Sequence, residues 1–201
     1  MAETPKESIR CPWPADDALM VAYHDEEWGV PVRDGKALFA KLMLDGFQAG
    51  LSWRTILHKR EAFLKGFHEF DPARVSKLTE KDITRLLADA GIIRHRGKIE
   101  ATIANAKAYL EIEKHGGGFS KLLWSFVNDR PVVNQISGRG DVATETTASQ
   151  AMSKELRARG MKFVGPTIVY AFMQAVGMVD DHFDGCFRKK QLKTYRSRRK
   201  A

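Results

Sequence analysis

The sequence predicts an all-α protein, and three features of the chain lead to this class. Apolar residues recur three and four positions apart along most of its length, as they do from Leu38 onward in DGKALFAKLMLDGFQAG. Capping residues and glycines separate these periodic segments from one another. No stretch alternates polar and apolar residues for long enough to build a sheet.

The helices of the first half are placed by their caps and breakers. One is expected in ADDALMVAYHDEEW, which opens on acidic residues, and the next follows from Leu38. Ser52 is the expected N-cap of WRTILHKREAFLKGF. Thr79 and Asp82 have the spacing of a capping box, for a helix that we expect to stop at Gly91.

The second half is predicted to be helical around one long loop. An amphipathic helix is expected from about Arg96 to His115, and FSKLLWSFVN predicts a shorter one. Residues 129–147 have no usable period and are expected to form the loop. Two last helices flank MKFVG, and Pro166 occupies the favoured first position of the second.

Composition and charge restrict the class of function. The chain has 201 residues, of which 43% are hydrophobic, and no apolar run approaches the roughly 18 residues of a membrane span. The N-terminus lacks the apolar segment of a secretory signal, so we expect a cytoplasmic protein with reduced thiols. The net charge of +8, with basic groups inside GIIRHRGKI as well as at the end, favours a nucleic-acid partner.

Four residues near the two ends of the chain offer metal-ligand chemistry. Cys11 and His24 lie at one end, and His182 and Cys186 stand in DDHFDGC, where helical spacing would place both on one face. Two thiolates and two imidazoles suit tetrahedral zinc, and a shell of four protein ligands would make the ion structural. The alternative is that they are buried cysteines and hydrogen-bonded histidines without a metal. Spacing alone leaves both interpretations open, because it is not a local zinc-finger spacing.

The segment RGMKFVGPTIVYAF has the sequence form of a helix-hairpin-helix. Such a hairpin directs backbone N–H groups and a helix N-terminus at a DNA phosphate without recognising a base. The candidate DNA contacts are the turn at Val164 and Gly165 and the side chains of Lys162 and Thr167. The alternative is an ordinary connector, since glycine-containing turns between helices are common.

Aromatic residues and one acid form a further candidate site. Trp13, Tyr23, Trp28 and Trp53 offer faces on which a nucleobase can stack, although each could equally be core packing. Asp45 interrupts an apolar helical face, where an unpaired carboxylate is costly to bury. We therefore expect Asp45 to be either a pocket wall or a hydrogen-bonded structural acid.

Several of these motifs, in this order, resemble the bacterial DNA-3-methyladenine glycosylase I family of the helix-hairpin-helix superfamily. They are RCPW, AYHDEEWGVP, GFQAGLSW, GIIRHRGKI, WSFVN, KFVGPTI and DDHFDGC, and the resemblance covers roughly residues 10–186. It implies two helical lobes in a single glycosylase domain, 10–188, between a flexible N-terminus, 1–9, and a basic C-terminal tail, 189–201. It also implies a monomer that excises 3-methyladenine from alkylated double-stranded DNA and leaves an abasic site.

The resemblance assigns roles to the candidate residues. The family's structural zinc, one per chain, would join the two ends of the chain through Cys11, His24, His182 and Cys186. Tyr23 and Trp53 fall where the family stacks the excised base, and Trp13 falls where another aromatic lines the pocket. Asp45 stands at the position of the acid that contacts the base.

Two positions depart from the family pattern. The acid at the Asp45 position is usually glutamate, so the shorter side chain leaves open which edge of the base it contacts. Asp180, in VDDHF, is an acid where the methyladenine family often has none and where related glycosylases carry a catalytic aspartate. It is either catalytic or a support for His182, and the adjacent metal ligand favours support.

One other class of function fits most of these features. A zinc-stabilised DNA-binding module without chemistry would need the same charge, hairpin and metal ligands. In such a module the aromatic pocket would be packed shut, so an open or closed pocket distinguishes the two.

Overall fold

The structure is a computed structural model that describes residues 9–115 and 117–198, with 194–198 described through the backbone only. Helices dominate it, with 60% of the residues helical. The predicted N-terminal segment, 1–9, therefore lies outside the described residues except for Ile9. Among the described residues, no helix combines the length and the apolar character that crossing a bilayer requires.

The helical elements follow one another with short connections. The α-helices of the described residues are α1 Ala18–Glu26, α2 Gly35–Gln48, α3 Trp53–His58, α4 Arg60–Gly66, α5 Pro72–Val75, α6 Glu80–Ala88, α7 Arg96–His115, α8 Phe119–Ser125, α9 Thr147–Ala158, α10 Pro166–Ala175 and α11 Phe187–Arg198. Short 3-10 turns lie at His68–Phe70 and Arg139–Asp141.

The expected caps are present at several helix starts. The Ser52 hydroxyl accepts from the N–H of Thr55 at 3.2 Å, and the Asp34 carboxylate caps α2 at 2.8 Å from the N–H of Ala37. The Asp82 carboxylate accepts from the backbone N–H of Thr79, as the capping-box pattern predicts. Pro166 is the first residue of α10.

The structure corrects two expectations about the elements. No sheet was expected, but two short strands, β1 Val132–Val133 and β2 Val179–Asp180, form a parallel ladder of two residues each. The segment after Ser52 is two helices, because α3 ends at His58. The described part of the predicted tail, 189–201, belongs to α11, Phe187–Arg198, and residues 199–201 lie outside the described residues.

One large apolar core runs through the molecule. Buried residues from α2, α7, α9 and α10 all belong to it, so the two helical lobes implied by the resemblance do not have separate large cores among the described residues. A smaller cluster of Met20, Tyr23 and Leu57 packs against three tryptophans. This smaller cluster lies beside the candidate site.

The two ends of the chain pack closely against each other. The N–H of Gly29 donates to the carbonyl of Ala175 at 3.1 Å, and the N–H of Phe187 donates to that of Ile9 at 2.9 Å. A side chain at Gly177 would begin 2.6 Å from the carbonyl oxygen of Gly29, and the φ of Gly177 is +69°. Only glycine permits this approach, which brings the N-terminal residues against the segment from 177 to 187.

Candidate functional site

A pocket of about 230 Å³ opens beside the aromatic cluster. A cavity of about 150 Å³ can hold a benzene molecule, so this pocket has room for a two-ring base. Its lining residues are Trp13, Met20, Tyr23, Trp28, Lys41, Asp45, Gln48, Trp53, Val142, Ala171, Gln174, Ala175, Asp181 and Phe183. The four residues predicted to form a base site, Trp13, Tyr23, Asp45 and Trp53, are therefore brought together.

The aromatic walls come from three separate places in the chain. Tyr23 lies on α1, Trp53 begins α3, and Trp13 precedes α1. The rings of Tyr23 and Trp53 pack with centroids 5.2 Å apart and planes tilted by 44°. A flat guest could therefore not enter between the two rings, because rings at this separation leave no room for a third.

Asp45 is one of two buried acids that line this pocket, with 1% of its surface exposed. Its Oδ1 accepts from the ammonium of Lys41 at 2.5 Å, one helical turn earlier on α2. Its Oδ2 is buried and has no hydrogen-bond partner among the residues that the structure describes. Burial raises the pKa of Asp45 and lowers that of Lys41, and each group opposes the shift of the other.

Other polar atoms of the pocket also lack partners within the described part of the chain. The indole Nε1 atoms of Trp13 and Trp53 are buried without an acceptor. The Tyr23 hydroxyl stays protonated, because burial and the nearby Asp45 hold its pKa well above the usual value. Buried polar groups in proteins are nearly always satisfied, so these atoms indicate a site for a polar guest.

Sequence reasoning missed several lining residues, and Lys41 is the most important of them. Its side chain is only 17% exposed, and its Nζ lies 3.9 Å from the centroid of the Trp53 ring. A signal was available, because a lysine four positions before Asp45 on one helix must share its face. Asp181 was also missed, and its buried carboxylate accepts from Tyr170 and Gln174 at 2.7 Å each.

Three of the four predicted metal ligands come together at one point. Ligand atoms of Cys11, His24 and Cys186 all lie within 4.8 Å of one another. The Nε2 of His24 is 3.6 Å from the Sγ of Cys186, and ligands bound tetrahedrally to zinc are spaced about 3.3 to 3.8 Å apart. His182 is outside this group of three, but its Nε2 is fully buried without a partner.

The surroundings of these four residues match a metal centre. The Nδ1–H of His24 donates to the Asp25 carboxylate at 2.7 Å, and the Nδ1–H of His182 donates to the Asp180 carboxylate at 2.7 Å. These bonds leave the two Nε2 atoms available as ligands. The residues present therefore fit a zinc ion. Asp180 is fully buried against His182 and does not line the pocket, which favours its supporting role.

Only some of the hairpin residues predicted to contact DNA are exposed. Val164 is 1% exposed, and its carbonyl accepts from Ser153 at 2.6 Å, so its side chain belongs to the core. The N–H of Lys162 donates to Asn105 at 2.8 Å, while its side chain and that of Thr167 are exposed. The left-handed residue of the turn is Phe163, with φ +56°, whereas Gly165 has an ordinary φ of −63°.

The basic residues of the motif GIIRHRGKI are not all available to a nucleic-acid partner. Lys98 is 7% exposed and donates to the carbonyls of Phe47 and Ala49 at 2.8 and 2.6 Å, so it holds the end of α2. Arg96 pairs with Glu80 and Glu100. Arg94, His95 and Arg96 are all exposed on the surface.

Fold and site together define a helical protein with a pocket for one flat, polar ring system. A family model described as methyladenine glycosylase matches residues 13–189. The chain belongs to this family. It is 55% identical to "DNA-3-methyladenine glycosylase 1" of Escherichia coli (strain K12) over 177 residues, which cover 88% of this chain and 95% of the relative.

Solved structures agree with this assignment. A crystal structure of 3-methyladenine DNA glycosylase I has a TM-score of 0.88 and 51% identity, covering 89% of this chain and 98% of that one. A variant of such an enzyme in complex with 3-methyladenine has a TM-score of 0.87 and 41% identity, covering 90% and 97%.

Proposed function

We propose that this protein is a DNA-3-methyladenine glycosylase. It excises 3-methyladenine from alkylated double-stranded DNA by hydrolysing the N-glycosidic bond, and it leaves an abasic site. The observation that carries the proposal is the unpartnered Oδ2 of Asp45 in an open pocket walled by Tyr23 and Trp53. The alternative, a DNA-binding module without chemistry, is disfavoured because its pocket would be packed shut.

The substrate base must leave the duplex before this pocket can hold it. Extruding a nucleotide costs about a few kcal/mol, and the cost is lower for damaged pairs. The ring faces of Tyr23 and Trp53 stack an extruded base, and methylation at N3 gives that base a positive charge, which favours contact with aromatic faces. The Oδ2 of Asp45 accepts a hydrogen bond from a donor on the base.

Bond cleavage needs little acid catalysis in this pocket, because the alkylated base is a good leaving group. The bond between the sugar C1′ and the base nitrogen breaks, and both of its electrons go to the base, which becomes neutral. The oxygen of a water molecule bonds to C1′, and one proton of this water is released. The pocket contributes by holding the base in place while positive charge moves from the ring to the sugar.

Two further sites belong to the proposal. One zinc ion per chain, bound by Cys11, His24, His182 and Cys186, would have a structural role, because a shell of four protein ligands leaves no position for a substrate. This is supported by the convergence of three ligands and by the buried, unpartnered Nε2 of His182. Lys162 and Thr167, exposed at the hairpin, would contact DNA phosphates.

The Asp45→Asn variant tests the proposed function. Asparagine keeps the size of the side chain but removes the charge and one acceptor, so the variant should fold and bind DNA while excision falls by about 100-fold or more. Release of free 3-methyladenine from methylated duplex DNA measures this effect. Wild-type protein that releases none would refute the proposed function, and a fully active variant would remove Asp45 from the mechanism.

A further inference from the structure

Lys41 is a buried cation that the proposed chemistry does not use. Its side chain is 17% exposed, it lines the pocket, and its Nζ lies 2.5 Å from Asp45 and 3.9 Å from the Trp53 ring centroid. Desolvating an ammonium is costly unless it gains partners. A methionine or leucine would fill this space on an apolar helical face without that cost, so the charge needs an explanation.

The hydrogen-bonding capacity of Lys41 exceeds what the protein uses. An ammonium has three N–H donors, of which Asp45 Oδ1 takes one. The face of the Trp53 ring attracts the positive charge of the ammonium, but it does not accept a conventional hydrogen bond. A donor of Lys41 and the unpartnered Oδ2 of Asp45 therefore lie next to each other on one wall of the pocket.

This arrangement is complementary to one edge of adenine. Adenine presents an exocyclic amine, which donates, beside a ring nitrogen, which accepts, whereas guanine presents an oxygen acceptor where adenine has the amine. We propose that Lys41 is a specificity-determining residue: Asp45 Oδ2 accepts from the adenine amine while Lys41 Nζ donates to the neighbouring ring nitrogen, N1 or N7. The proposal rests on the proposed function, since it concerns the base held in the same pocket.

The same contact favours bond cleavage over simple binding. The base gains an electron pair when the glycosidic bond breaks, so its ring nitrogens become better acceptors. A hydrogen bond from a cation to such a nitrogen then strengthens as the reaction proceeds. With guanine, the carbonyl oxygen would face the carboxylate of Asp45, and two acceptors in contact disfavour binding.

Binding of free bases to the intact protein tests this role directly. The ligands are 3-methyladenine, its 1-deaza and 7-deaza analogues, which each lack one ring acceptor, and 3-methylguanine; quenching of tryptophan fluorescence reports binding. Loss of a charged hydrogen bond should weaken binding of one deaza analogue to the wild type by about 10- to 100-fold. The other deaza analogue should bind like 3-methyladenine.

The Lys41→Met variant, with Lys36→Met as the control, completes the experiment. Methionine keeps the unbranched stem, so the variant should bind 3-methyladenine and both deaza analogues with equal, reduced affinity. Lys36 lies on the same helix but is 64% exposed, and its variant should match the wild type. A structural role alone would lower all affinities in parallel and leave the ratio between analogues unchanged.

The outcomes separate this inference from the proposed function. Wild-type protein that binds all three adenines equally, or a Lys41→Met variant that keeps the wild-type ratio, would overturn the role of Lys41. Either result can occur while methylated DNA still releases 3-methyladenine, which leaves the proposed function intact. The measurements on the wild type do not depend on the folding of any variant.

Discussion

At the scale of single residues, the pocket is defined by polar atoms that the protein leaves unsatisfied. Asp45 Oδ2 and the indole nitrogens of Trp13 and Trp53 are buried without partners. Each would destabilise a closed core, because a buried polar atom without a hydrogen bond costs about 1 to 3 kcal/mol. Their convergence on one cavity is what distinguishes a binding site from ordinary aromatic packing.

Trp53 should supply most of the stacking surface for the base. A Trp53→Leu change removes the ring face and the cation–π contact with Lys41, so affinity for free 3-methyladenine should fall by about 10-fold or more, since stacking contributes about 1 to 3 kcal/mol per base. Equilibrium titration of the free base measures this loss.

A matched variant distinguishes stacking from packing. Trp53→Phe keeps an aromatic face and should retain most of the affinity that Trp53→Leu loses. Equal loss in both variants would indicate that the indole acts in another way, for example through its unpartnered Nε1.

At the scale of elements, the site depends on how the end of α2 is held. Lys98 on α7 donates to the carbonyls of Phe47 and Ala49, which follow Asp45 and have no partners within their own helix end. A cation at a helix C-terminus is also favoured by the helix dipole. Lys98, which the sequence analysis counted among the basic residues that favour a nucleic-acid partner, thus holds the end of α2, the helix that carries Asp45.

Lys98→Met should destabilise the fold by about 2 kcal/mol, because two charge-assisted hydrogen bonds are lost while the two carbonyls stay in place. Urea unfolding followed by circular dichroism gives the change in the free energy of unfolding. Lys107→Met on the same helix is the control, since Lys107 is exposed, and it should leave the stability nearly unchanged. Equal midpoints for the two variants would contradict this role of Lys98.

The helices were predictable from the sequence because their caps are local signals. Ser52, Pro166 and the Thr79–Asp82 pair act where their residue types suggest. The β1–β2 ladder was not predictable from the sequence, because strands of two residues leave no period to detect. The buried position of Lys98 was also missed, since only tertiary packing decides which lysines on a helix face inward. That of Lys41 was missed although its spacing to Asp45 on one helix indicates a shared face.

At the scale of the whole molecule, the candidate metal centre lies where the two chain ends meet, next to the pocket. Cys11 and His24 come from the N-terminal end, and His182 and Cys186 from the C-terminal end. The Trp28 ring lies 4.4 Å from that of His182, between their centroids, and Trp28 also lines the pocket. A metal that orders these ligands therefore also orders the pocket wall.

The thiols of this centre have the chemistry of a ligand pair. Cys11 and Cys186 share a hydrogen bond, which raises the pKa of Cys11 and lowers that of Cys186. A metal ion bound by both sulfurs would displace their protons, because only the thiolate is a ligand. Both sulfurs are buried, so any loss of the metal must be preceded by local opening of the chain ends.

Removal of the metal should therefore affect stability and base binding together. We expect about one zinc per chain by elemental analysis, and chelation under mildly denaturing conditions should release it and lower the melting temperature. Because the sequence has only two cysteines, a thiol reagent should then react with two groups per chain that are protected in the loaded protein. Affinity for free 3-methyladenine should fall in the same preparation, since Trp13 and Trp28 pack against His24 and His182.

Restoring zinc should reverse all three changes, and loading with cobalt should give the absorption of a tetrahedral thiolate site. A metal-free protein with unchanged melting temperature and base affinity would refute the structural role, because the contacts between the two ends would then be sufficient on their own.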